Sequence, residues 1–237
     1  MRRVVRWIVR IVLGFAALVA LILAVVFLGL NTGAGRALVE RMTPRLTGGT
    51  VTIEGLAGRF PDALRAGRIV LHDGRGTWLE VDGATLDWAP TALLQRRVFI
   101  GSLTADRLTV IRPPQSSASP APAKQGGPIP DLPVDVIVKS LRIAALTIGP
   151  DIAGTPVAAS VVAHGQLDRA ARAGAVSLDV RTPGAAGNNY RLDVSADQAR
   201  LDAVAAIRET QQPLVATLAG AAGVGLLSGD VHANGAW

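Results

Sequence analysis

Residues 77 to 88 read TWLEVDGATLDW. Thr77, Leu79 and Val81 alternate with Trp78, Glu80 and Asp82, and past Gly83 the rhythm resumes in Ala84, Leu86 and Trp88 against Thr85 and Asp87. A period of two puts successive side chains on opposite faces of an extended chain, so the stretch predicts strands with one apolar and one solvated face. Asp73-Gly74-Arg75-Gly76 before it and Asp82-Gly83 inside it read as tight turns between alternating runs.

The same signature extends in both directions. Upstream, Val51 and Ile53 alternate with threonine and glutamate, and Gly55 and Gly58-Arg59 supply turns. Downstream, Pro90 to Gln95 reads as a brief helical turn, followed by strands around Val98 to Leu103 and Arg107 to Arg112. Residues 113–133 are proline, serine and glycine-rich and predict a flexible linker or loop. Strands resume over Val134 to Val138, Leu141 to Ile148 and Val157 to Leu167, then around Val176 to Val180, Leu192 to Val194 and Leu201 to Ala203. The pairs Leu141/Ile143 and Leu146/Ile148 differ in parity, which implies a bulge. Pro213 to Gly225 is a further helix candidate, and Leu227 to Trp237 starts a strand with no closing element, as in a truncated chain.

About eleven short strands follow one another without a crossover helix. The expected fold is mainly β, an elongated, open antiparallel sheet of gutter form with few short helices, and a barrel or sandwich is the alternative.

The N-terminal region has a different character. Ile11 to Leu30 is an uncharged apolar run of 20 residues preceded by Arg2, Arg3, Arg6 and Arg10. At about 1.5 Å per residue it matches the roughly 30 Å hydrocarbon core of a bilayer. The arginines orient it with a cytoplasmic N-terminus. A cleaved signal peptide is the rival, with Thr32-Gly33-Ala34 as a small-residue exit, but its apolar core would be shorter. Thr32 then caps a short helix through Gly35, Arg36, Leu38, Val39 and Met42, which Pro44 and Gly48-Gly49 terminate. The expected organisation is 1–31 cytoplasmic tail and single-pass membrane anchor, 32–112 membrane-proximal helix and first sheet segment, 113–133 linker, and 134–237 continuing sheet, with the bulk of the chain on the far side of the membrane.

The chain carries a net charge of +6 and no cysteine. Seven arginines against the single acid Glu40 fall within residues 1–45, so the positive charge points to lipid headgroups and topology, and no nucleic-acid partner is expected. Disulfides and thiolate metal sites are impossible.

A search for chemistry finds little. His72, His164 and His232 lie at strand ends or on polar strand faces, without a nucleophile elbow, and read as solvated residues. His72-Asp73 has no second pair to complete a metal site, and Asp73 reads as a turn former. Glu54, Asp73, Glu80, Asp82 and Asp87 alternate with apolar residues as a solvated sheet face does. No phosphate-binding glycine motif joins a strand to a helix. The expectation is no enzyme, no cofactor, no metal. What remains is the apolar face, with Leu79, Val81, Leu86, Trp88, Val161, Leu178 and Val180 as candidate lining of a lipid groove.

Gly55 to Pro114 resembles the N-terminal region of the TamB family of AsmA-like envelope proteins. The resemblance rests on a G-L-x-G turn (Gly55, Leu56, Gly58), a D-x-x-G strand end (Asp73, Gly76), Trp78, an L-x-W-x-P run (Leu86, Trp88, Pro90), Leu93-Leu94, and the R-P-P exit Arg112 to Pro114. Pro213-Leu214 and Gly235-Ala236-Trp237 resemble the family's repeat endings. The resemblance makes the anchor an inner-membrane one and the bulk of the chain periplasmic. It implies a long β-taco whose groove conducts phospholipids between the inner and outer membranes, a linked role in outer-membrane protein assembly, and an Omp85-type barrel partner engaged through a C-terminal region absent here. It implies no catalytic residues. The runner-up is a periplasmic scaffold that captures client strands by β-augmentation.

Overall fold

A computed structural model describes residues 29, 31–115, 133–184, 187–210, 215 and 225–236. The anchor run Ile11 to Leu30 (Gly29 apart), most of the linker, most of the Pro213 to Gly225 helix candidate and Trp237 lie outside the described residues. Among the described residues no helix is long and apolar enough to cross a membrane.

The protein is mainly β. Among the described residues eleven strands form one sheet: β1 (Val51–Glu54), β2 (Ala57–Arg59), β3 (Ala63–Asp73), β4 (Gly76–Trp88), β5 (Arg97–Val110), β6 (Asp135–Ile148), β7 (Val157–Asp168), β8 (Ala173–Arg181), β9 (Asn189–Ala196), β10 (Arg200–Arg208) and β11 (Ser228–Ala236). Their order is β1-β3-β4-β5-β6-β7-β8-β9-β10-β11, with β2 paired to β3 beside β1. A 3₁₀ turn over Pro90–Gln95 links β4 to β5, as the proline at its start favours.

The pairing is antiparallel at every junction except one. β5 and β6 pair in parallel, from Arg97 opposite Asp135 to Val110 opposite Ile148. An antiparallel meander was the expectation here, and the difference follows from the connection: residues 111–134 are long enough to return along the whole of β5, where a hairpin turn is not. The proline-rich stretch thus serves as a crossover, and the residues on either side of it belong to one sheet.

The first edge of this sheet is covered by helix α1 (Gly33–Leu46). Thr32 caps it, its hydroxyl accepting from the Gly35 N–H at 3.1 Å. Pro44 sits inside the helix rather than ending it. The helix runs on to Leu46, and Gly48 and Gly49, at φ 62° and 81°, reverse the chain into β1. The Asn31 side chain both donates to the Phe60 carbonyl (2.9 Å) and accepts from the Phe60 N–H (2.8 Å), and Glu40 accepts from the Leu56 N–H at 2.6 Å. These bonds seat α1 along the two short edge strands, a standard protection for a sheet edge.

A crease crosses the first strands. Asp82-Gly83 is not the turn that its composition suggests, because Val81 and Ala84 lie in the same strand β4. Gly83 adopts φ 63° with Gly67 of β3 opposite it, since the flanking pairs are Ala66 with Ala84 and Arg68 with Asp82. Next in line on β1's side is Gly55, at φ 67°, whose carbonyl accepts from the Gly67 N–H at 3.1 Å. At this level the apolar parity changes in β3, β4, β5 and β6 alike. It ends in the expected bulge of β6, where the register against β7 shifts between Ile143 and Leu146. A slip in one strand alone would turn its apolar residues to the wrong face; taken together by four neighbours, it keeps them on the same side.

Polar locks close one end of the strands. Arg112, 7% exposed, makes a two-bond fork onto Asp73 (2.8 and 2.5 Å) and donates to the Gly76 carbonyl. Further along, Tyr190 donates to Glu209 (2.9 Å) and accepts from the Asn188 side chain (2.9 Å), while Glu209 also accepts from the backbone N–H groups of Val215 and Leu227. Beside Tyr190 the short helix α2 (Pro150–Ala153) buries Ala153 against Val157 and Ile148.

Candidate functional site: the apolar sheet face

Residues paired across adjacent strands carry their side chains on the same face. Leu64, Leu86, Leu103 and Leu141 stand directly opposite one another on β3 to β6. The row continues through Ala163, Leu178, Leu192, Ala205 and Val231 on β7 to β11. One apolar residue per strand therefore runs unbroken from β3 to β11, perpendicular to the chain direction.

All seven residues singled out from the sequence fall on this face. Val161 and Val180 are partners, Leu178 is opposite Ala163, and Trp88 joins through Ile100 and Val138 to Gly165. Beyond the crease, Val81 connects through Leu108 and Leu146 to Ala159, and Leu79 through Val110 and Ile148 to Val157. Because β7 alternates regularly, Val157, Ala159, Val161, Ala163 and Gly165 share a face and tie the two groups together. The Trp88 indole N–H donates to the Pro61 carbonyl, which leaves its ring as apolar surface.

Over β6 to β9 the face carries a shallow trough of about 450 Å³ lined by Val136, Val138, Leu167, Val176, Val194 and Ala196. Its floor is open because Gly165 and Gly174 have no side chains: a Cβ on Gly174 would stand 2.9 Å from Leu167, and one on Gly165 3.2 Å from Val176. The sequence reading missed this centre. Val176 and Val194 were visible as alternating residues, but glycines contribute nothing to a hydropathy pattern. Val176 (54%), Leu192 (37%) and Val231 (55%) remain open to solvent, so the face is not a closed core.

The reverse face is polar. Arg68 pairs with Glu80 (3.0 Å), Arg107 with Asp82 (3.8 Å), and Asp179 takes both Arg181 (2.8 Å) and Arg191 (3.1 Å). His164, Ser177 and Asp193 also line up there on consecutive strands. That order places the serine between histidine and aspartate, two strand spacings or about 10 Å apart. A triad needs the base in the middle, bonded to both partners, so the row cannot relay a proton. His72 contacts Thr77 through Nδ1 at 3.0 Å, and His232 is exposed on β11. Among the described residues no cluster of three acids or histidines could hold a metal ion.

No family model, curated protein or solved structure matches this chain.

Proposed function

We propose that this chain is the membrane-proximal part of an envelope protein anchored in the inner membrane, and that its apolar sheet face carries phospholipid acyl chains through the periplasm. The observation that carries this reading is the uninterrupted apolar row from Leu64 to Val231, backed by a paired-ion reverse face. The eight spacings between the nine strands of the row, β3 to β11, amount to about 38 Å, so the row is a path rather than a pocket. Resemblance to the TamB family favours a gutter-like open sheet that links the inner and outer membranes, an Omp85-type partner, and a linked role in outer-membrane protein assembly.

The energetics suit movement. A fully buried methylene contributes about 0.8 kcal/mol, so an acyl chain of about 16 carbons, half covered by one face, gains roughly 6 kcal/mol before ordering costs. That holds a chain out of water without trapping it.

Photo-crosslinkers at Leu86, Val176 and Leu178 are expected to capture phospholipid, and the same probes at Asp87 and Gln166 on the reverse face are not. Equal labelling of the two faces would sink the reading. A second reading, capture of client strands by β-augmentation, has one observation in its favour: β11 is exposed along its whole length and pairs only with β10 among the described residues. Crosslinks from β11 to unfolded barrel proteins, with none to lipid, would favour it.

A further inference from the structure

Helix α1 has two unlike sides. One is fastened to the sheet edge through Glu40 and through Arg36, whose guanidinium reaches the Gly58 carbonyl at 3.5 Å. The other presents Leu38, Met42 and Leu46, exposed by 57%, 38% and 77%, at four-residue spacing along one ridge. Arg41 and Arg45 are exposed beside that ridge, and neither forms an ion pair among the described residues. No acid shares this side, since Glu40, the one acid of the helix, is turned to Leu56.

We infer that this outer face of α1 lies flat on an anionic lipid surface, with Leu38, Met42 and Leu46 at the acyl boundary and Arg41 and Arg45 on headgroup phosphates. The inference rests on the membrane-anchored reading above and deepens it. An apolar ridge flanked by long cationic side chains suits an interface, where the stems lie in apolar surroundings and the charges reach phosphate. Asn31 and Thr32 alone separate Leu30 from Gly33, so α1 begins within about 11 Å of the end of the apolar run. The helix is about 20 Å long, and only if it lies in the plane of the surface do all three apolar residues reach it. Because α1 runs along β1 and β2, the strands then lie parallel to the membrane and the sheet rises from it edge first.

The chain has no cysteine, so single labelling sites are simple to introduce. The full chain, carrying an NBD fluorophore at L38C, M42C or L46C, is reconstituted into phosphatidylcholine vesicles with one quarter phosphatidylglycerol. All three probes are expected to emit at shorter wavelength than one at Q166C and to be quenched several-fold more by brominated acyl chains. The Arg41→Glu/Arg45→Glu pair, or vesicles lacking phosphatidylglycerol, should remove most of the quenching at position 46. A water-like signal from L46C, matching Q166C, would overturn the inference. So would a blue shift that needs no lipid and grows with protein concentration, which would assign the face to a second copy. Lipid crosslinking at Leu178 is read separately and does not depend on either outcome.

Discussion

The carboxylate of Glu40 accepts the backbone N–H of Leu56 at 2.6 Å, at the break between β1 and β2 where the strand-to-strand ladder has no partner to offer. A side chain on the covering helix thus completes the edge of the sheet. Glu40→Ala would leave that amide unsatisfied, a cost of about 1–3 kcal/mol. Hydrogen exchange at Leu56 and Gly67 should accelerate, and Glu40→Gln, which keeps an acceptor, should lose less. Unchanged exchange at Leu56 in the alanine variant would refute the role.

Asp73 titrates well below the usual carboxylate range, held there first by the Arg112 fork and then by the backbone N–H groups of Gln115 and Arg75. A depressed folded-state value means that the ionised form stabilises the fold above the unfolded value of about 4, and that this contribution fades as pH falls below it. Asp73→Asn should therefore lower the Tm at pH 7, with the gap to the parent protein narrowing steadily between about pH 4 and pH 2. A gap independent of pH would argue against the ionic lock.

Tyr190 titrates above the ordinary phenol range, because of its burial and next because of the adjacent Glu209 carboxylate. Its neutral form stabilises the fold fully below the unfolded value of about 10, and the contribution is lost as pH rises past it. Tyr190→Phe should cost about 1–3 kcal/mol near neutrality by depriving Asn188 and Glu209 of a partner. Thermal melts of the two proteins should converge above about pH 10.

On the apolar face, Val176→Asp places a charge in the trough at a position already open to water. Stability should change by no more than about 0.5 kcal/mol. Lipid capture at Leu178 should drop roughly tenfold or more, because an acyl chain would have to cover an unpaired carboxylate. His164→Asp on the reverse face should leave capture unchanged, and equal losses would deny the faces distinct roles.

At the crease, a Cβ on Gly83 would stand 2.0 Å from Asp106 Oδ2, on a backbone already at φ 63°. Gly83→Ala should cost about 1–2 kcal/mol for the left-handed conformation alone, plus the displacement of Asp106. Adding Asp106→Ala should recover the second part only. A full recovery would mean that the backbone conformation carries no cost.

Much of this architecture is local and could be read directly. Alternation from Val51 to Ala203 identifies the strands, Thr32 announces α1, Pro90 starts the 3₁₀ turn, and the parity change between Ile143 and Leu146 marks the bulge. Each of these depends on the chemistry of a few consecutive residues. The candidate face was legible for the same reason, since alternation names the residues on it even when their partners are unknown.

Three features required the assembled sheet. Gly83 has the same sequence signature whether the chain turns back or shifts phase, and Gly67 on the neighbouring strand accommodates the phase shift. The parallel junction of β5 and β6 depends on where residues 111–134 deliver the chain, which proline, serine and glycine leave unspecified. The trough centres on Gly165 and Gly174, residues without side chains, and becomes a shape only when Leu167, Val176 and Val194 stand around them. The sequence by itself determined which side of each strand is apolar, because that is a matter of period. Only the tertiary structure decided that these sides meet as one continuous surface, because that depends on register between strands far apart in the chain.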